Sequence, residues 1–435
     1  METTKEKDIY KTSRVMYTLE AAFEYFIAIL ISGTYLAKLT TSIGISDSMT
    51  AILSTLGSLA GSFQIISIFL SHHTPVKKWV VPLNAFTQFA TALLYIIPFM
   101  AIDPDAMGII FFIIIFAGQI LKNICSPIKT NWFMSLVNPK TRGAYTAILQ
   151  CVSLVGGMAF TLITGIIIDN FDKRNDLKGA FVVLTVMILV LALLQLITLL
   201  VSREKPQKIE KKDSPLSEIK LLSKNKRYRR LLIVNVIWAM ATSISLPFYG
   251  TYQINELGFS MTLISILSTA LMVVQLIATA FFGRFSMMHS SLTLLRIGYP
   301  VSVASYLVMV FTVRSNGLWM FIIYKVLTML GGAAISVGGT ITYQITHYKE
   351  RTTALALNTI LTGTISFFVT LISTTLFNYI KIEKNSQLFG MTIYAQQLLS
   401  AITVIIGIIL VVYINTYFAK AINAVPDDAD EDDDL

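Results

Sequence analysis

The sequence predicts an all-α membrane protein of twelve transmembrane helices arranged as two pseudo-symmetric six-helix bundles. Three observations predict it. Hydrophobic residues make up 54% of the 435 residues and charged residues only 14%, against about 25% charged in a soluble domain, and the mean hydropathy is +0.68. Apolar runs of about 20 residues, the length that crosses a bilayer, recur from end to end. One long polar stretch divides these runs six and six.

The runs fall at roughly 15–40, 49–70, 79–101, 106–128, 144–168, 179–201, 231–254, 261–283, 292–313, 317–345, 354–377 and 389–417; they are called spans one to twelve. Residues 1–201 then form the first bundle, 202–230 a basic cytoplasmic linker, 231–417 the second bundle and 418–435 an acidic tail. The linker carries Pro206, Pro215 and eleven basic residues from Arg203 onward. The tail packs seven acids into Asp427–Asp434 without an apolar anchor, so a disordered, solvating end is expected. Residues 1–14 show no small-residue cleavage site, which predicts that the first apolar run is retained as a helix.

Orientation follows from the basic residues. Of 34 Lys and Arg, 25 fall in segments on the side of the N-terminus and 7 on the opposite side; Lys122 and Lys325 lie inside spans. The bias places both termini in the cytoplasm. It also accounts for the net charge of +9 as a topology signal instead of a nucleic-acid surface, and the basic linker suits contact with anionic lipid. Cys125 and Cys151 both sit in or beside apolar runs, which argues against a disulfide framework. With no Asn-x-Ser/Thr sequon, a bacterial inner (plasma) membrane is the expected location.

The two halves repeat. Gly44-Ile45-Ser46 and Ile52-Leu53-Ser54-Thr55 in the first half match Gly258-Phe259-Ser260 and Ile266-Leu267-Ser268-Thr269 in the second, both at an offset of 214. Gly33-Thr34-Tyr35 matches Gly250-Thr251-Tyr252. A basic residue recurs before the fifth span of each half, Arg142 in Lys140-Thr141-Arg142-Gly143 and Arg351 in Lys349-Glu350-Arg351-Thr352. Parallel repeats of this kind build many transporters.

The six-plus-six layout, the basic central linker and the segment WFMSLVNPKTRGAY from Trp132 to Tyr145 resemble the major facilitator superfamily over the whole chain. The resemblance stops at the loop between spans two and three. There Ser67-Ile68-Phe69-Leu70-Ser71-His72-His73-Thr74 replaces the family's Gly-x-Leu-Ala-Asp-Arg-x-Gly-Arg type of motif, and Gly283-Arg284-Phe285-Ser286-Met287 also lacks the Asp. Span five carries Gly156-Gly157 and Gly165 without the Gly-Pro signature of drug antiporters. The resemblance implies the major facilitator fold, a cavity lined by spans one, four, seven and ten, and transport by alternating access.

Those four spans carry polar stripes. On span seven, Asn235, Trp238, Thr242, Ser245, Tyr249, Tyr252 and Glu256 recur at steps of three and four, so they share one helix face. Span four has Gln119, Lys122, Ser126 and Lys129, and span ten has Lys325, Thr328, Gly332, Gly339, Thr342 and Thr346. Polar groups in hydrocarbon are costly, and a shared face predicts a water-filled path. The plainer reading is helix-to-helix glue. The expected solute cavity comprises Gln119, Asn235, Trp238, Thr242, Ser245, Tyr249, Tyr252, Lys325 and Thr328. Arg142 and Arg351 are assigned to a cytoplasmic gate.

Span one carries Glu20 and Glu24, one turn apart. At about 1.5 Å per residue, Glu20 lies about 9 Å and Glu24 about 15 Å from the cytoplasmic end of span one, and Lys122 about 10 Å from that end of span four. The expectation is that Glu20 pairs with Lys122 and that Glu24, nearer the midplane, carries a proton. No Gly-x-x-x-x-Gly-Lys-Ser/Thr loop is present to cradle ATP, so the driving force is expected from an ion or solute gradient. The reading is proton-coupled symport of a small polar or amphipathic organic solute by a monomer without cofactor or metal. Sodium coupling, drug/proton antiport and a non-transporting receptor or scaffold are the alternatives. An embedded enzyme has little support, because His72, His73, His289 and His347 fall in or beside loops without metal-ligand spacing.

Overall fold

The computed structural model describes residues 10–67, 76–100, 102–138, 142–204, 215–346, 351–382, 387–388 and 391–423. Ten described helices are long and apolar enough to cross a membrane, and the pair Lys11–Leu30 and Gly33–Ser42, bent by 44°, makes an eleventh. Span two is the helix Asp47–Gly61 continued by the 3-10 turn Ser62–Ile65; it is cut short because 68–75 lie outside the described residues. The spans come out within a few residues of their expected positions, with three corrections.

Span four runs as Pro104–Ser135, well past its expected end. Lys129, counted above among cytoplasmic charges, is therefore inside a helix, and it is buried. Span seven is regular only over Lys226–Ser245; Pro247 lacks the backbone N–H an α-turn needs, and the chain continues as the 3-10 turn Leu246–Phe248 and the π-turn Tyr252–Glu256. Span twelve begins later than expected, at Ala395, where the Tyr394 backbone N–H donates to Gln397 Oε1 at 2.9 Å. Before it, Gln387–Leu388 pairs antiparallel with Met391–Thr392.

The repeat has a physical meaning. Gly44 and Gly258 sit at φ +80° and +69°, a backbone region that L side chains seldom adopt. Two residues later Ser46 and Ser260 each accept a backbone N–H of the helix they start, Met49 at 3.2 Å and Leu263 at 3.2 Å. A left-handed glycine followed by a serine N-cap thus opens the second helix of each half. Helix pairing repeats too. Span one packs on six, three on four and three on six; likewise span seven packs on twelve, nine on ten and nine on twelve.

The chain folds as two compact units. The first comprises Met1–Lys211, Leu246–Ala270 and Ser366–Lys384. Its core is aliphatic and aromatic, with Leu30, Leu56, Phe111 and Leu184 fully buried, and a second cluster stacks Tyr17 on Phe133 and Phe133 on Trp132. Trp132 Nε1 donates to the Arg203 carbonyl at 3.0 Å, and Tyr145 Oη donates to that of Arg14 at 2.5 Å. The WFMSLVNPKTRGAY segment therefore ties spans one, four and six together at one end; Lys140 and Thr141 lie outside the described residues.

Within this same unit, segments from both halves of the sequence are fastened together. Asp169 accepts the backbone N–H of Met261 at 2.9 Å and of Thr262 at 2.7 Å. Asp47 pairs with Lys381 at 2.5 Å and accepts from Asn255 at 2.9 Å. A Cβ on Gly250 would meet the Gly33 carbonyl oxygen at 3.0 Å, so the matched glycines allow the two backbones to touch.

The second unit comprises Lys212–Ser245, Leu271–Ile365 and Asn385–Leu435. Val234, Leu295, Tyr299 and Leu410 form one core and Leu294, Ala333 and Ala334 another. The acidic tail, Pro206, most of the linker lysines, His72, His73 and His347 lie outside the described residues.

Candidate functional site

In the first unit, span one delivers Glu20 and Glu24 to one side of span four, where Lys122 and Lys129 stand two turns apart. Lys129 Nζ reaches Glu20 Oε1 at 2.7 Å and is also paired with Glu24. Lys122 Nζ stands 3.4 Å from Glu24 Oε1. Span six adds Gln195, whose Nε2 donates to Glu20 Oε1 at 2.8 Å. Glu20 is 0% and Lys129 4% exposed. Two acids and two lysines cancel in charge, which is the condition under which such groups persist in a low-dielectric interior.

The geometry departs from the expected pairing. Lys129, not Lys122, holds Glu20, and Lys122 holds Glu24. The reason is the extra length of span four, which carries Lys129 to the level of Glu20. Glu24 thus faces two ammonium groups, whereas Glu20 shares one. Glu20 Oε2 and Gln195 Oε1 are both buried with no hydrogen-bond partner. A buried carboxylate oxygen left unpartnered is costly as an anion, and a bound proton removes that cost.

Glu24 and Lys122 open onto a small cleft among spans one, three and four, with Gln119, Thr87, Gln88 and Thr91 on its wall. The span-three residues were missed by sequence reasoning. Their signal is present: Asn84, Thr87, Gln88 and Thr91 fall at i, i+3, i+4 and i+7 and are all buried, a polar face on a helix outside the four spans expected to line the cavity.

The other assigned residues divide into two groups. In the second unit Asn235 Nδ2 donates to Asn358 Oδ1 at 2.9 Å, half-buried Trp238 meets Tyr299 and Tyr306 edge to face, and Thr242 Oγ1 donates back to the Trp238 carbonyl at 3.0 Å. Thr328 Oγ1 donates to Ser305 at 3.1 Å, one turn from half-buried Lys325. These stay on partly open faces. Ser245 is fully buried and bonded to Thr403 at 3.0 Å. Tyr249 and Tyr252 are buried in the first unit. The stripe on span seven thus closes at Ser245, and beyond it Pro247 breaks the α-helical phase.

Arg351 Nη2 donates to the Tyr343 carbonyl at 2.9 Å and lies over the Tyr343 ring, tying the start of span eleven to the end of span ten. Arg142 begins the helix Arg142–Asp172; its side chain lies outside the described residues. Among the described residues no His, Cys, Asp and Glu group could hold a metal ion.

The profile of the Major Facilitator Superfamily matches residues 18–370. The chain belongs to that superfamily. Solved structures agree on the fold: the POT family transporter PepTSo, at TM-score 0.69 and 11% identity, covers 94% of this chain and 98% of its own. A D-xylose–proton symporter follows at 0.67 and 15%, covering 94% and 98%, and the nucleoside transporter NupG at 0.66 and 13%, covering 95% and 99%. No curated protein matches the sequence. As in the superfamily at large, the solute is set by side chains on a shared scaffold, and identities this low carry the fold alone.

Proposed function

We propose that this superfamily member is a proton-coupled symporter of a small polar or amphipathic organic solute, working by alternating access, with Glu20, Glu24, Lys122 and Lys129 as its coupling cluster. The observation that carries the reading is a buried lysine shared by two carboxylates. When Lys129 sits with Glu24, Glu20 keeps an unpartnered oxygen in a dry site and takes up a proton there. When Lys129 swings back to Glu20, the carboxylate is stabilised as an anion and the proton leaves. Lys122 keeps Glu24 paired throughout. Solute at the cleft wall, through Gln119, Gln88 or Lys122, changes where the lysines rest and so links the two events.

The path is assigned to Gln119 in the first unit and to Asn235, Trp238, Thr242, Lys325 and Thr328 in the second, an amide, indole and hydroxyl lining suited to an organic solute. The fastenings at Asp47 and Asp169 are contacts of the kind a gate makes and breaks. The basic asymmetry supports cytoplasmic termini, and the sequence pattern a bacterial plasma membrane.

The test is Glu20→Gln, which imitates the protonated acid permanently and still offers an oxygen to Lys129. In liposomes it should exchange solute at near the wild-type rate and lose accumulation driven by an imposed pH gradient. Accumulation that survives this change would exclude Glu20 as the coupling group and leave sodium coupling or facilitated diffusion.

A further inference from the structure

Lys325, inside span ten, plays no part in the coupling cluster. It stands half-buried there. The membrane-crossing helical stretches of the second unit, Lys226–Ser245, Leu271–Phe285, Ser291–Val310, Gly317–Ile345, Arg351–Ile365 and Ala395–Asn423, contain no Asp or Glu, and among the described residues no carboxylate lies within ion-pair distance of Lys325. Its neighbours are ring faces. Nζ stands 5.4 Å from the Phe321 centroid and 5.7 Å from that of Tyr324, and Tyr324, Tyr306 and Trp238 continue edge to face at 6.0 and 6.2 Å.

The face that carries Lys325 is open. Lys325, Thr328, Gly332 and Ser336 fall at i, i+3, i+7 and i+11, within an arc of about 80° on the helix. A Cβ on Gly332 would meet no atom within 4 Å, while its neighbour Gly331 is packed tightly on Ser302 and Gly298. Gly332 and Ser336 are exposed. On the opposite face Trp319 and Ile323 are exposed instead, the apolar side that hydrocarbon would cover. An exposed face of lysine, hydroxyls and glycine is the reverse of that and marks a wet surface.

We propose that Lys325 docks the carboxylate of an organic anion, and that the space beside Gly332 receives its body. The occupant is a monoanion. A single ammonium supplies one positive charge, and the ring faces around it present negative quadrupole density, which stabilises the lysine while the site is empty and disfavours a phosphate dianion. The apolar rings of Trp238 and Tyr306 favour an aliphatic or aromatic body over a sugar. Taking this anion as the cargo rests on the transport reading above.

The experiment is thermal unfolding of the full-length detergent-solubilised protein with matched pairs: butyrate, benzoate and indole-3-acetate against butyramide, benzamide and indole-3-acetamide. An acid of the series should raise the melting temperature of the wild type and of Lys325→Arg, and its amide should not. Lys325→Gln should weaken the apparent affinity for that acid at least tenfold while melting, without ligand, no lower than the wild type. Gly332→Val should remove the response with the lysine intact. Equal shifts from acid and amide, an acid response indifferent to Lys325→Gln, or no response to any acid would each overturn the assignment. Amides that bind regardless of Lys325 overturn it and leave the transport reading standing. Acid binding through Lys325 together with pH-driven accumulation by Glu20→Gln has the opposite meaning: the docking site stands and the coupling cluster fails.

Discussion

Two lysines in this protein occupy opposite electrostatic situations. Lys129 in the first unit lies between two carboxylates and is buried within a neutral group of four charges. Lys325 in the second unit lies against aromatic faces and, among the described residues, has no carboxylate within ion-pair distance. A charge whose partners belong to the protein can be passed between them and can therefore gate a proton. A charge without such a partner awaits one from outside. The repeat copied the scaffold of the two halves, down to the glycine and serine that open spans two and eight, and left the charge chemistry different.

The comparison breaks most readily at the lysines themselves. Lys129→Met strands two buried carboxylates and should lower stability by about 3–5 kcal/mol, the usual cost of removing one partner from a buried pair. Lys325→Met removes a charge that has no partner to strand, and should leave the unliganded protein within about 1 kcal/mol of the wild type or make it more stable. Thermal unfolding of the two variants side by side measures the difference. Equal losses would mean that Lys325 is a structural lysine with a partner of its own.

A smaller effect sharpens the picture of span seven. A cysteine at Thr242, on the regular part of the helix, should react with a small water-soluble thiol reagent, and one at Ser245, sealed against Thr403, should react at least tenfold more slowly. Comparable rates at both positions would extend the open face to Ser245, the last regular residue before Pro247.

The contrast also shows what the residue pattern alone could carry. Twelve spans, the repeat and the polar faces of spans one, four, seven and ten are one-dimensional signals, and they were legible because apolar length and helical period survive without tertiary knowledge. Pairing is not such a signal. Lys122 and Lys129 sit on the same stripe, and choosing which one meets Glu20 required the true end of span four, hidden because a lysine near an expected boundary reads as a cytoplasmic anchor. The burial of Ser245 was likewise hidden, since its partner Thr403 is distant in sequence, and that of Tyr249 and Tyr252 because Pro247 shifts the phase of the helix without altering the spacing of the letters. The span-three face of Asn84, Thr87, Gln88 and Thr91 was readable from its helical period, but span three is not among the four spans the family resemblance points to.

The central claim is that Glu20, not Glu24, takes the proton, and infrared difference spectroscopy on acidification tests it most directly. The carbonyl stretch of a protonated carboxylic acid should appear in the wild type and in Glu24→Gln and be missing from Glu20→Gln. A band that persists in Glu20→Gln and vanishes in Glu24→Gln would contradict the account and return the proton to the carboxylate nearer the midplane.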